Sequence, residues 1–540
     1  MGSESGMFNR LFTFDSSTGK ELSGNARLAW WLVVFLVPFQ LHYNYIINAF
    51  YHFGAPYFDA GLFCQLLWHN DWRLMNPLPR GDFSYFGVHF SPFLLLVSQL
   101  SYLLPTDSVE FFAGFIASIY AALALAMFYA LQCCVRPRSH WRMLLLALLA
   151  IGFSFNGFVA QGMWMPHFEY AIPLCIFLFL LHRARGNTGL AILFFVLALS
   201  LREDAGLHIA VILGLLIFLR YREQRSFHAI RKEVYFLIAA CNYSALAWII
   251  MSHVQATSNV GGVLTFIYTG NPPFAHLSWT LLWDRAVHII REKSYLWLSM
   301  LVTLAWAWRT CNPYLAVGFV ACLPWLLINW MAINGNTGAL YAYYAFPFVL
   351  SMGWPVLALL WQYPLLPPSA VRSALGLQTI LVLTGLVLWN GYSYKLNFAP
   401  VVGAQWGSYW LQENETKRAL IREFVIKLHA GEGKGALGRV GVDQGIQSLT
   451  MGPFQGRDLQ FIQPKMQSAD TLVYFTSSYQ PWGNSDIIQY AREHHLSYHY
   501  CIVGTMICLD TIRTREELQE FSSMLITVPI PANAIPPATK

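Results

Sequence analysis

Runs of roughly 17 to 25 apolar residues recur along this chain from about residue 28 to about residue 394. Each can cross ~30 Å of hydrocarbon as a helix, and a backbone surrounded by lipid must satisfy its own polar groups. A bundle of membrane helices is therefore the expected fold. Composition agrees, because 56% of the 540 residues are hydrophobic and 11% are charged, against about a quarter charged in a soluble domain. The net charge of +6 does not call for nucleic acid, since most Lys and Arg sit in short loops between apolar runs and set topology there.

The expected spans are residues 28–50, 109–132, 141–158, 168–183, 187–201, 206–220, 233–253, 294–310, 312–332, 342–362 and 373–393, about eleven in all. The first is too long for a signal-peptide core and is followed by Tyr51, His52 and Phe53 rather than small residues, so it reads as a retained span. "HFSPFLLLVSQLSYLLP" is closed by Pro92 and Pro105 and is too short to span, which predicts an interfacial or re-entrant helix in the loop 51–108. The basic loops hold Arg10, Lys20 and Arg27, then Arg136, Arg138 and Arg142, then Arg183 and Arg185, then Arg220 through Lys232, then Arg309 and Arg372. They alternate with the spans in one register, so the amino terminus (1–27) is expected in the cytoplasm and the C-terminal region outside. A bacterial inner, cytoplasmic membrane is the expected location. No internal repeat points to the inverted halves of many transporters.

The opposite loops collect the ionisable side chains. The loop 51–108 carries Asp59, in "APYFDAGLFCQLLWHNDW", together with Asp71, Asp82 and His89. "QGMWMPHFEY" carries His167 and Glu169, "LREDAG" carries Arg202, Glu203 and Asp204, and "NGNTGALYAYY" carries Tyr343 and Tyr344. Asp59 suits a helix N-cap before "AGLFCQLLW", and a cap would also hold a general base rigidly at the membrane surface. "LREDAG" is either a solvated edge or a site where Arg202 forks onto phosphate while Glu203 or Asp204 holds a hydroxyl or a metal. His167 and Glu169, with Asp59 or Asp204, have donors suited to Mg²⁺ or Mn²⁺. His89 reads equally as a helix cap, and Tyr343 and Tyr344 as a sugar platform or an interfacial aromatic belt. There is no GxSxG, phosphate-cradling Gly loop or dinucleotide fingerprint, and an external site has no ready access to cytoplasmic nucleotides. A membrane-embedded activated donor fits better.

Taken in order, "YFDAGLFCQLLW", "GVHFSPFLLLVSQLSYLLP", "MPHFEYAIPLCIFLFLLHRARG", "ALSLREDAGLHIAVILGLLIFL" and "YAYYAFPFV" resemble a bacterial and archaeal membrane protein family, domain of unknown function 2079, grouped with the GT-C glycosyltransferases. The likeness covers about residues 28 to 400. It implies a GT-C-like membrane domain over 28–395 and a long first external loop whose acid serves as catalytic base. It also implies inverting transfer of a sugar from a polyprenyl-phosphate donor to a glycan, lipid or protein acceptor on the extracytoplasmic face. Asp59 falls where that base is expected, and Arg202 where many relatives carry Lys, which keeps a cation for the lipid phosphate. On this reading Glu203, Asp204, His89, His167, Glu169, Tyr343 and Tyr344 line the substrate site. The alternatives are a transporter or flippase for a lipid-linked or envelope substrate, and a non-catalytic assembly protein.

Residues 400–525 read as a small α/β domain outside the membrane, with 526–540 a Pro-rich tail. Its expected elements are a helix in "ENETKRALIREFVIKLH", strands in "RVGVDQG", "DLQFIQ" and "TLVYFTS", and a helix in "DIIQYAREHHL". Nine cysteines show no zinc spacing. A turn at Gly504-Thr505 sets Cys501 opposite Cys508, leaving open a bridge or two buried thiols.

Overall fold

The computed structural model describes residues 23–53, 84–104, 108–135, 139–164, 167–256, 264–362, 368–395 and 412–430, with isolated positions between 63 and 74; toward the C-terminus it describes 437–442, 459–461, 469–475, 491, 493–503, 505 and 507–527. The chain divides into two compact units. One comprises Met1–His42, Gly81–Leu94 and Phe115–Ala399, and the other Tyr43–Arg80, Leu95–Gly114 and Pro400–Lys540.

The protein is mainly helical, and among the described residues eight helices are long and apolar enough to cross a membrane. They fall in α1 (Gly24–Phe53), α3 (Ser108–Val135), the pair α4 (His140–Ser154) and α5 (Gly157–Trp164), α8 (Ala205–Gln224), α9 (Phe227–Ala256), α12 (Val317–Trp330), α13 (Pro347–Gln362) and α14 (Pro368–Lys395). The apolar segment between Pro92 and Pro105 forms α2 (Phe93–Leu103), whose 11 residues reach only about 16 Å. Three expected spans form shorter helices: α6 (Ala171–Ala184), α7 (Thr188–Leu201) and α11 (Ser294–Arg309). Two of their ends have a local cause. Before α6 the chain makes a 3₁₀ turn, Phe168–Tyr170, and α7 stops where Arg202 turns extended, at φ −162° and ψ 154°. The span expected over 141–158 is broken at Asn156, whose Oδ1 accepts from the amides of Phe158 at 2.9 Å and Val159 at 3.3 Å and so starts a new helix.

Helices α8 and α9 form a tight antiparallel pair, joined where Arg225 turns left-handed at φ 51°. Gly206 permits their approach, because a Cβ there would run into the Ala240 carbonyl and lie 2.5 Å from Ser244 Oγ. Near the Arg225 turn, Arg183 and Arg220 share Glu233 Oε1 at 2.6 and 3.0 Å, and Glu233 is fully buried. Asn312 and Gln362 exchange side-chain hydrogen bonds of 2.9 and 3.0 Å.

A further helix was not foreseen. Residues Trp279–Glu292 form α10, whose Trp279, Trp283 and Ile290 lie on one stripe and are exposed. Its inner face is pinned by Arg285, which donates to the Trp330 carbonyl at 2.7 Å, and by Trp330 Nε1, which donates to the Leu282 carbonyl at 3.1 Å. Such a helix suits the plane of a membrane interface.

In the second unit, Ser98 Oγ donates to the Leu67 carbonyl at 2.8 Å. The C-terminal segment forms α15 (Gln412–Ala430) and six strands: β1 (Val440–Val442), β2 (Leu459–Phe461), β3 (Thr471–Phe475), β4 (Tyr498–Ile502), β5 (Ile507–Thr511) and β6 (Leu525–Thr527). The sheet order is β2-β1-β3-β5-β4-β6, parallel between β1 and its neighbours and antiparallel beyond β3. Strand β6 runs two residues into the stretch read as the tail; most of the helix expected in "DIIQYAREHHL" lies outside the described residues. Cys501 faces Cys508 across β4 and β5, in the register that a turn at Gly504-Thr505 gives, and the two are joined as a disulfide.

Candidate functional site

The first unit gathers its ionisable residues where α6, α8 and the 3₁₀ turn Ala342–Ala345 before α13 begin. Helix starts carry partial positive charge from unsatisfied amides, so acids are favoured there. Glu169 lies in the turn leading into α6, and Asp204 is the N-cap of α8, yet its carboxylate makes no cap bond. Both acids turn instead to Arg202. Its guanidinium meets Glu169 Oε1 at 2.6 Å and reaches Asp204 with Nε, at 2.6 Å, and with a terminal nitrogen. Arg202 is 4% exposed and Glu169 1%, so the pairing is what makes either charge tolerable in the interior. Trp325 and Phe346 cover the guanidinium, their ring centroids 5.4 and 4.9 Å from its carbon.

Glu203, between the two, points to another segment. Its Oε1 lies 2.9 Å from His89 Nδ1, its Oε2 accepts from the Phe90 amide at 3.1 Å, and its carbonyl accepts from Ser244 Oγ at 2.7 Å. Gln255 Nε2, on α9, donates to the Gly87 carbonyl at 2.6 Å, a second tie on that segment. On the other side, His167 lies 3.6 Å from Glu169 and stacks on Tyr343, with ring centroids 4.2 Å apart. Tyr343 in turn stacks on Tyr344 and donates to its hydroxyl at 3.2 Å.

The electrostatics separate the two histidines. Burial drives the His167 imidazole below its usual range, which outweighs the pull of Glu169. For His89 burial also acts downward, but the charge and hydrogen bond of Glu203 carry it above the usual range. For Asp204 burial acts upward and Arg202 outweighs it, so the carboxyl lies well below its usual range. The site thus holds a neutral imidazole against an aromatic stack, and a histidine inclined to be cationic against Glu203, the neighbour of the arginine in sequence.

Of the residues singled out in the sequence, His89, His167, Glu169, Arg202, Glu203, Asp204, Tyr343 and Tyr344 meet in this one place. Asp59 lies outside the described residues. No family model matches this sequence, and no curated protein matches it.

The pattern did not mark Trp325, Phe346 or His208. His208 Nε2 lies 3.6 Å from Asp204 Oδ2, and its spacing four residues along α8 was the available signal. The two aromatics come from runs whose apolar character hides them. The described part of the metal set does not fit a divalent ion, because Arg202 already stands between Glu169 and Asp204. Among the described residues, three metal-type ligands converge only at His499, Cys501 and Cys508, and those sulfurs are joined to each other.

Proposed function

We propose that this chain is an integral-membrane inverting glycosyltransferase that moves a sugar from a polyprenyl-phosphate donor to an acceptor on the extracytoplasmic face, as its resemblance to the GT-C-associated family implies. The observation that carries the reading is the meeting of charged and aromatic residues from four separate loops around Arg202. Asp59 takes the proton of the acceptor hydroxyl as its oxygen attacks the anomeric carbon, and the polyprenyl phosphate leaves. Arg202 receives that phosphate. To do so it exchanges a carboxylate: Asp204, at the N-cap of α8, can swing back to the amides of the first turn and release two N–H groups. Tyr343 and Tyr344 offer the sugar a stacking face. The disulfide of the C-terminal sheet supports placing that region outside the cytoplasm, since disulfides persist in oxidising compartments.

One observation favours a transporter or flippase as a second reading: an arginine shared by two buried acids can trade partners while a substrate passes. The test reconstitutes the protein in liposomes with a short-chain polyprenyl-phosphate sugar. Asp59→Asn should bind donor normally and lose turnover by about 10²- to 10⁴-fold. Undiminished turnover would sink the assignment, and sugar-lipid flux without a glycosylated product would establish the second reading.

A further inference from the structure

Strands β4 and β5 hold a second constellation, wholly within the C-terminal sheet. Cys501 and Cys508 are directly opposed and disulfide-bonded, and His499 is directly opposed to Asp510 one pair further along the same face. Asp510 Oδ1 lies 2.5 Å from His499 Nδ1 and also accepts from the Tyr474 hydroxyl at 3.2 Å. With Nδ1–H held by the carboxylate, the other ring nitrogen is the free one. That nitrogen, Nε2, stands 3.7 Å from Cys501 Sγ.

Two further features distinguish this bridge from a simple staple. A link across a sequence separation of 7 closes a short loop, so it removes less chain entropy from the unfolded state than a long-range bridge would. The two sulfurs also differ in access: Cys501 is part-exposed and Cys508 is 1% exposed. An accessible sulfur beside a base and a shielded partner sulfur are what thiol–disulfide exchange requires.

We propose that Cys501 and Cys508 form an exchangeable disulfide whose substrate is a protein dithiol, with His499 handling the proton at Cys501 and Asp510 orienting His499. A thiolate of the dithiol attacks Cys501 Sγ, the bond between the two cysteines breaks, and Cys508 leaves as a thiolate. The second thiolate of the dithiol then attacks the mixed disulfide, and Cys501 leaves as a thiolate facing His499. The dithiol becomes a disulfide, two electrons pass to Cys501 and Cys508, and the two protons of the dithiol end on their sulfurs, one by way of His499 Nε2. The reverse sequence oxidises the pair at the expense of a protein disulfide.

The experiment incubates the full-length protein, folded in detergent micelles, in graded glutathione and glutathione disulfide, then labels with iodoacetamide and reads each cysteine peptide by mass spectrometry. The pair should reduce without denaturant, Cys501 should label faster than Cys508, and its rate should plateau below the pH expected for a free thiol of pKa about 8.5. His499→Gln should slow Cys501 labelling near pH 7 by about tenfold while the oxidised protein melts as the parent does. Cys508→Ser should accumulate glutathione on Cys501. A pair that stays oxidised until the protein is denatured, or Cys501 labelling that His499→Gln leaves unchanged, would overturn the proposal.

Discussion

His89 Nδ1 lies 2.9 Å from Glu203 Oε1, joining positions 114 residues apart. With the Phe90 amide on the other oxygen, this carboxylate anchors the start of α2 to the loop that supplies Arg202. Glu203→Ala removes both bonds at once, and the expected cost is about 1 to 3 kcal/mol, because it strands a half-buried amide and removes the partner of His89. Limited proteolysis should then cut within residues 84–104 well before the intact protein is cut there. Equal protection of variant and parent would count against the anchor.

Arg202 is the only cation within hydrogen-bond reach of both Glu169 and Asp204 among the described residues. Arg202→Ala leaves two buried carboxylates without it and should cost about 3 to 5 kcal/mol, with Arg202→Lys losing less because charge survives while the fork does not. Glu233→Gln supplies the control, since it breaks the buried cluster with Arg183 and Arg220. It should lower the melting temperature comparably while leaving binding of the polyprenyl-phosphate sugar unchanged. The Arg202 variants should weaken that binding.

Stability should fall on both sides of neutrality. His167 is held below its usual range by burial, so the unfolded chain takes up a proton below pH about 6.5 that the native site refuses. Stability is then lost as pH falls, at up to about 1.4 kcal/mol per pH unit. Asp204, also depressed, adds to the loss only below its unfolded value of about 3.9. His89 runs the other way: its raised value contributes fully below pH about 6.5 and is lost as pH rises through the folded pKa. Melting curves between about pH 5 and about pH 8 should show His167→Gln flattening the acid limb and His89→Gln the alkaline limb. Unchanged limbs would remove these groups from the account.

Gly206 and Gly214 lie on the same helix in opposite surroundings. A methyl group at 206 meets Ala240 and Ser244, whereas at 214 it meets nothing within 4 Å. Gly206→Ala should therefore cost about 1 to 3 kcal/mol by forcing α8 from α9, and Gly214→Ala should gain up to about 1 kcal/mol from helix propensity. Thermal unfolding of the two variants side by side decides it, and a stable Gly206→Ala would mean that the helix pair yields easily.

The long apolar helices and the cluster around Arg202 were largely readable because charge is so scarce here. In a chain with 11% charged residues, any acid or base beside an apolar run stands out. Alternation of helices then brings every second loop to the same end, so His89, Glu169 and Arg202 could be grouped without coordinates. The pairing of Glu203 with His89, and of Arg202 with Glu169 and Asp204, could not be read, since Glu203 points away from the two residues on either side of it, which pair with each other. Trp325 and Phe346 stayed hidden because aromatic residues make up 16% of the chain and carry no mark of proximity to a cation. Helix α10 was passed over because 14 amphipathic residues do not register as a long apolar run, and β6 because three residues beside prolines give no alternation to follow.

Helix α8 carries a buried ion cluster at each end, Asp204 with Arg202 at one and Arg220 with Glu233 at the other. The sixteen steps from residue 204 to residue 220 rise about 24 Å, against ~30 Å for a lipid hydrocarbon layer. Sliding the helix along the bilayer normal would drag one cluster into the acyl chains while lifting the other into water. Where α8 spans a bilayer, its two ion clusters set its depth. In bilayers of increasing acyl length α8 should stay in register with its neighbours, and the lipid should be the component that thins or thickens around it.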